Sequence, residues 1–150
     1  MQVQLDYNVE SYTIRSYTAG QVTVSLPLSD TLRNSPEMGK DLMEERQLET
    51  CDLITPFILA PHILIENWLT PSINELKLAD FKPVLELDPE IIVLGTGARQ
   101  AFPPAQLISE LNQAGVGVEI MNTAAACRTY NFLMTDGRKV AAAIYMIEEA

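Results

Sequence analysis

The sequence predicts an α/β fold: a three-layer sandwich around a mixed, largely parallel central sheet, with an N-terminal β-hairpin added to it. Three observations carry that expectation. Ile91-Ile92-Val93-Leu94 is an unbroken apolar run that enters Gly95-Thr96-Gly97-Ala98-Arg99. Such a run reads as a strand covered on both faces that ends in a glycine-bounded turn. A helix-period segment and a second β-like run over 116–121 follow it. A strand–helix–strand unit of this length calls for a parallel pair with a right-handed crossover. Finally, residues 12–26 alternate in character around Ala19-Gly20, the pattern of a hairpin.

Taken in order, residues 12–18 and 21–26 are the hairpin strands, with Gly20 supplying a turn conformation that a Cβ resists. Residues 29–50 are polar and acidic, with Pro36, Gly39 and Glu44-Glu45-Arg46. Either 38–48 forms a short surface helix or the segment is a solvated insertion, and a lid or partner-contact role is the functional alternative. Residues 53–68 return to β character, and Pro61, which cannot donate to a ladder, marks a bend or an edge. Residues 78–87 read as a short helix starting near Ala79, which puts Pro83 in its first turn. The strand at 91–94 leads to a helix opened by Pro103-Pro104. Leu107, Ile108, Leu111 and Ala114 form its buried stripe, and Gly115 stops it. A strand over 116–121, a helix over 124–134, a turn at Asp136-Gly137 and an apolar run over 140–147 complete the chain.

The totals bound the function. The 150 residues suit one domain, and 47% apolar with 20% charged residues is an ordinary globular composition. A formal net charge of −10 works against phosphate-backbone and anionic-membrane partners. No apolar run approaches the roughly 20 residues that span a bilayer, and the start has no signal-peptide pattern. Cys51 and Cys127 make no disulfide framework, so free thiols in a reducing compartment, a bacterial cytoplasm, are expected.

Ligands of open α/β sheets sit beyond the carboxyl ends of the strands. The candidate ligand-binding residues are therefore Thr96, Arg99, Thr123, Arg128 and Asn131, on the loops at 95–99 and 122–128 and the helix that follows. Gly95-Thr96-Gly97 is not a dinucleotide fingerprint, because Gln100 stands where a third small residue belongs. Thr123 reads as a helix N-cap, and the same helix start suits a small anion helped by Arg128 or Arg99. Those arginines are otherwise solvated or paired with Glu119. Asn131 shares a stripe with Cys127 and, if buried, must be bonded, with the 95–99 loop or the strand-end backbone as the expected partner. Cys127 reads as a buried inert thiol, since the single histidine, His62, lies far off in a β bend. No metal spacing, nucleophile elbow or cofactor motif appears, so no cofactor, metal or catalytic residue is expected.

Residues 91–99, the run Gly117-Val118-Glu119-Ile120-Met121-Asn122-Thr123-Ala124-Ala125-Ala126-Cys127-Arg128-Thr129-Tyr130-Asn131 and Gly137-Arg138-Lys139-Val140 together resemble the Mth-like domain family. This is a family of unknown function that includes mitochondrial complex I (NADH:ubiquinone oxidoreductase) assembly factor 3. The resemblance covers 78–147 closely and 12–68 more loosely, with Trp68 at the family's tryptophan. The 29–50 stretch is longer than the family's usual connection, and Asn122 replaces a frequent aspartate. The resemblance implies a compact three-layer domain without established catalysis, whose best-understood relatives bind protein partners during assembly of a respiratory complex. Gly95, Gly97, Thr123, Asn131 and Gly137 match its motif positions and read as structural.

Two functions follow as expectations. One is a non-catalytic interaction or assembly protein with an exposed apolar patch, on the order of several hundred Å², near Trp68 or the 29–50 segment. The alternative is a small anionic-ligand binder or enzyme that uses the strand-end loops. Protein partners are expected, nucleic acid is not, and the oligomeric state is left open.

Overall fold

The structure, a computed structural model, describes residues 2–5, 10–28 and 49–149. The helix or insertion expected within 29–48 lies outside the described residues.

Strands β1 (Val3–Gln4), β2 (Thr13–Thr18), β3 (Gln21–Ser25) and β4 (Thr50–Leu53) form an antiparallel sheet in that order. Gly20 makes the hairpin turn with φ +75°. The register passes from Ile14↔Val24 to Ser16↔Thr23, so Arg15 is an extra residue on β2. That bulge turns Ser16 and Tyr17 inward and breaks the simple alternation read for 12–18. Thr50, placed at the end of the polar stretch, opens β4 and pairs with Ser25.

The second sheet contains β5 (Phe57–Ala60), β6 (Ile63–Ile65), β7 (Ile91–Gly95), β8 (Gly117–Met121) and β9 (Val140–Ile144), in the order β6-β5-β9-β7-β8. Strand β7 runs parallel to β8 and β9, whereas β5 runs antiparallel to β6 and β9. The sheet is therefore mixed, and its parallel part carries the strand-end loops. Pro61-His62 turn the β5–β6 hairpin, and the freed Pro61 carbonyl accepts from the Tyr12 amide at 2.9 Å.

Both faces of this sheet are covered. Ile92, Leu94, Ala141 and Ala143 meet Trp68, Phe81, Val84, Leu107 and Leu111 on one side. That layer comprises two 3-10 turns (Ile73–Glu75 and Leu78–Phe81), α1 (Lys82–Leu85) and α2 (Ala105–Gln113). On the other side Val93, Ala142 and Ile144 meet Ala126, Cys127 and Tyr130 of α3 (Thr123–Thr135), together with Ile14, Val22 and Val24 of the first sheet. The third layer is thus a helix and a sheet side by side. Each such large apolar side chain, once buried, contributes about 1.5–3 kcal/mol.

Three local expectations need correction. The helix expected near Ala79 is a 3-10 turn at Leu78–Phe81, and α1 starts only at Lys82, where Pro83 fits the first turn. Pro104 is the N-cap of α2, just before the first turn. Ala114 is exposed as that helix's C-cap, although Leu107 and Leu111 are buried. Trp68, near which an apolar patch is expected, is itself 4% exposed. Its indole N–H donates to the Asp80 carbonyl at 2.8 Å, and its ring meets Phe81 and Tyr145 edge-on.

Asn131 also differs from expectation. Its Oδ1 accepts from the Ile14 amide at 3.0 Å and its Nδ2 donates to the Ile14 carbonyl at 2.8 Å. The side-chain amide thus acts as one more strand residue beside β2 and ties α3 to the first sheet, not to the 95–99 loop. Asn131→Leu leaves both Ile14 groups unpaired and is expected to lower stability by about 1–3 kcal/mol, read from the urea unfolding midpoint.

Candidate functional site at the strand ends

Parallel pairing sets Gly95 opposite both Met121 and Ile144, so three chain segments meet at one end of the sheet. Two amides extend the ladders past the strands: Thr96 N donates to Met121 O and Tyr145 N to Gly95 O, each at 2.9 Å. A Cβ on Gly95 would stand 3.0 Å from both Ala126 Cβ and Ile144 Cδ1, so the glycine lets α3 seat closely on the sheet. Gly97 has φ +102°, a conformation that side chains other than hydrogen resist.

The two strand-end loops bring Thr96 and Thr123 together, but their hydroxyls are engaged with backbone. Thr123 is fully buried. Its Oγ1 accepts from Gly97 N at 2.9 Å and donates to Tyr145 O at 2.6 Å. Its own amide donates to Gly97 O at 2.8 Å. Thr123 is therefore not the N-cap of α3: Asn122 is, with Oδ1 accepting from Ala125 N at 2.9 Å. The Thr96 hydroxyl donates to Arg99 O at 2.7 Å, lies 3.1 Å from Met121 O, and accepts from Ala101 N.

Glu148 takes the next amide of the turn, its Oε2 accepting from Ala98 N at 2.9 Å. A Cβ on Gly97 would overlap that carboxylate. Glu148 is held there by the segment after β9, where Ile147 bridges to Ala19 and its carbonyl accepts from Gly20 N at 2.8 Å. Arg99 is exposed beside this turn. Arg128 reaches away from it to the first sheet, its Nη1 donating to the Tyr17 hydroxyl at 2.7 Å. Among the described residues neither arginine pairs with Glu119.

Sequence reasoning did not single out Glu148, Tyr145 or Tyr17. The only local signal for Glu148 is Gly97 itself, a glycine whose missing side chain makes room for something. Thr96, Thr123, Arg99 and Glu148 share the strand-end loops, while Arg128 and Asn131 point to the first sheet.

Cys127 is fully buried, and burial pushes its thiol up to about 12, against a smaller opposing pull from Arg128. His62 sits on the β5–β6 turn at the opposite end of the sheet, so it gives this thiol no base. Burial also raises the Tyr145 phenol to about 12; its hydroxyl donates to Pro71 O at 2.7 Å. Among the described residues no His, Cys, Asp and Glu side chains gather as a metal set, and no helix is long and apolar enough to cross a membrane.

Residues 44–145 match a family described as "Protein of unknown function (DUF498/DUF598)". The chain is similar to a 13 kDa major membrane protein of Francisella tularensis subsp. holarctica, 38% identical over 90 residues, or 59% of this chain and 73% of that one. It is also similar to the NADH dehydrogenase [ubiquinone] 1 alpha subcomplex assembly factor 3 of Danio rerio, 37% identical over 89 residues, or 58% of this chain. The match spans 50% of that assembly factor's length. Among solved structures, a Xanthomonas campestris protein superposes with a TM-score of 0.67 at 34% identity, covering 94% of this chain and 86% of that one. A Bordetella pertussis protein described as an Mth938-like domain has the same fold, with a TM-score of 0.67 at 21% identity, covering 100% and 95%.

Thr123→Val keeps the shape but strands the Gly97 amide and the Tyr145 carbonyl, and is expected to cost about 2–4 kcal/mol in chemical denaturation. The buried thiol gives a pH prediction. A group whose folded pKa is raised contributes stability below its unfolded value and loses it as pH rises. Cys127, ordinarily near 9, and Tyr145, ordinarily near 10, both titrate near 12 in the fold. Stability should therefore fall as pH rises from 9 toward about 12, and Cys127→Ala should flatten the first part of that slope. At neutral pH an alkylating reagent should modify Cys127 only after unfolding.

Proposed function

The chain belongs to the DUF498/DUF598 family of proteins of unknown function, and on that premise we propose that it is a non-catalytic assembly factor that works by binding protein. The observation that carries this reading is the engagement of the strand-end loops. The buried hydroxyls of Thr96 and Thr123 serve backbone groups, and the Gly97 and Ala98 amides are taken by Thr123 and Glu148. That arrangement builds a rigid scaffold. Similarity to an assembly factor of a respiratory enzyme over about half of that protein's length supports the same reading.

The face proposed for the partner lies where Leu69 is 90% and Ile54 70% exposed. Trp68 N donates to Pro56 O at 2.8 Å, and the Thr55 hydroxyl donates to Asn67 Oδ1 at 2.8 Å. These bonds hold the two segments side by side, so the two apolar side chains stand on one rigid surface next to buried Trp68. We place the protein in a reducing compartment such as a bacterial cytoplasm, on the ground that Cys51 and Cys127 are both free.

A second reading, a small anionic-ligand binder at 95–99 and 122–128, is favoured by one contact: the Ala98 amide already holds a carboxylate, that of Glu148, next to exposed Arg99. Crosslinked pull-downs separate the two readings. A specific partner recovered by the parent protein and reduced about tenfold by Ile54→Glu/Leu69→Glu, with the melting temperature kept, is the expected result. Equal recovery by parent and variant removes the proposed face, and absence of any specific partner removes the assembly reading. Weakened recovery on Arg99→Ala instead points to the strand-end loops.

A further inference from the structure

The end of the central sheet opposite the strand-end loops holds a groove that the proposed function does not use. It is formed by the Pro61-His62 turn, the start of β9, the end of α3 and the turn at Gly137-Arg138-Lys139. Its volume is about 600 Å³, within the range of small-molecule sites.

Two kinds of surface meet in it. Its apolar lining includes Ile63, Val140, Leu87 from the layer on one face of the sheet and Met134 from the layer on the other. Ile63 is 40% exposed, while Met134 and Val140 expose 6% and 2%. The rim carries the cations Arg138 and Lys139, with His62 beside them, and no carboxylate is among the described lining residues.

Three acids stand behind the rim, and one of them, Asp136, acts on Arg138 through its charge. Glu90 Oε1 accepts from Arg138 Nε at 2.6 Å and from the Lys139 amide at 3.1 Å. Asp88 lies 3.8 Å from Lys139 Nζ. The Glu90 contact engages only the Nε of the guanidinium, so it braces Arg138 while its terminal nitrogens remain for a second anion. A guanidinium braced in this way suits a planar carboxylate. Lys139 Nζ is held more loosely, and its side chain is 72% exposed.

We propose that this groove binds an amphipathic monocarboxylate of medium chain length, with the acyl chain along Ile63, Leu87 and Met134 and the carboxylate at Arg138 and Lys139. The apolar wall disfavours small hydrophilic anions, which gain nothing from it. The basic rim disfavours neutral and cationic amphiphiles of the same length. The site stands apart from Ile54 and Leu69, so it neither requires nor excludes a protein partner there.

The test is a titration of the full chain with decanoate below its micelle concentration, followed by methyl NMR, with decanol as the uncharged control. Saturable shifts at Ile63, Met134 and Val140 are expected, with decanol binding about tenfold more weakly. Arg138→Gln/Lys139→Gln should reduce decanoate affinity about tenfold and leave decanol binding unchanged. Ile63→Glu should remove binding of both while the remaining methyl spectrum stays native. Equal affinity for decanol and decanoate, shifts centred on Leu69 or Phe102, or no saturable shift would each overturn the proposal.

Discussion

The buried hydroxyl of Thr123 is the junction on which the parallel half of the molecule depends. It accepts from the loop after β7 and donates to the segment after β9, while the residue itself begins α3 directly after β8. A hydroxyl removed from water must be bonded on both counts to be tolerated. Here one oxygen satisfies a donor and an acceptor from two different chain segments. The requirement propagates outward: Gly95 must lack a Cβ so that α3 can approach, and Gly97 must adopt a positive φ so that its amide points at Thr123.

The same helix is anchored a second time, further along its length, by Asn131 and Tyr130. Asn131 pairs both backbone groups of Ile14, and the Tyr130 hydroxyl donates to Tyr12 O at 2.8 Å. Helix α3 therefore joins the two sheets through polar contacts at the border of a shared apolar core. The strand-end loops, the usual place for ligand chemistry in such a sheet, are here occupied by bonds that hold the fold together. Surfaces away from them, the ledge of Ile54 and Leu69 and the groove beside Arg138, are the parts with unused chemistry.

Much of this was legible in the residues. The apolar run 91–94 and the β-forming residues on either side of Gly20 are local signals, so those strands were legible, although the bulge at Arg15 was not. The meeting of Thr96 and Thr123 followed from the crossover geometry. What was not legible depends on partners distant in sequence. Asn122 and Thr123 are both good capping residues, and only the position of the Gly97 amide decides which of them caps. Asn131 finds Ile14 across 117 positions, and Glu148 finds Ala98 across 50. Trp68 is buried where the 3-10 turn ahead of α1 offers its indole a carbonyl at Asp80. No periodicity carries that information.

Native-state hydrogen exchange at the Gly97, Thr123 and Tyr145 amides tests the central claim most directly. If Thr123 locks the strand ends into the core, all three exchange only through global unfolding, with free energies of opening equal to that of the β7 amides. Exchange of Gly97 and Thr123 through local fluctuations, several kcal/mol easier than β7, would show a mobile loop poised for a ligand and would contradict this account.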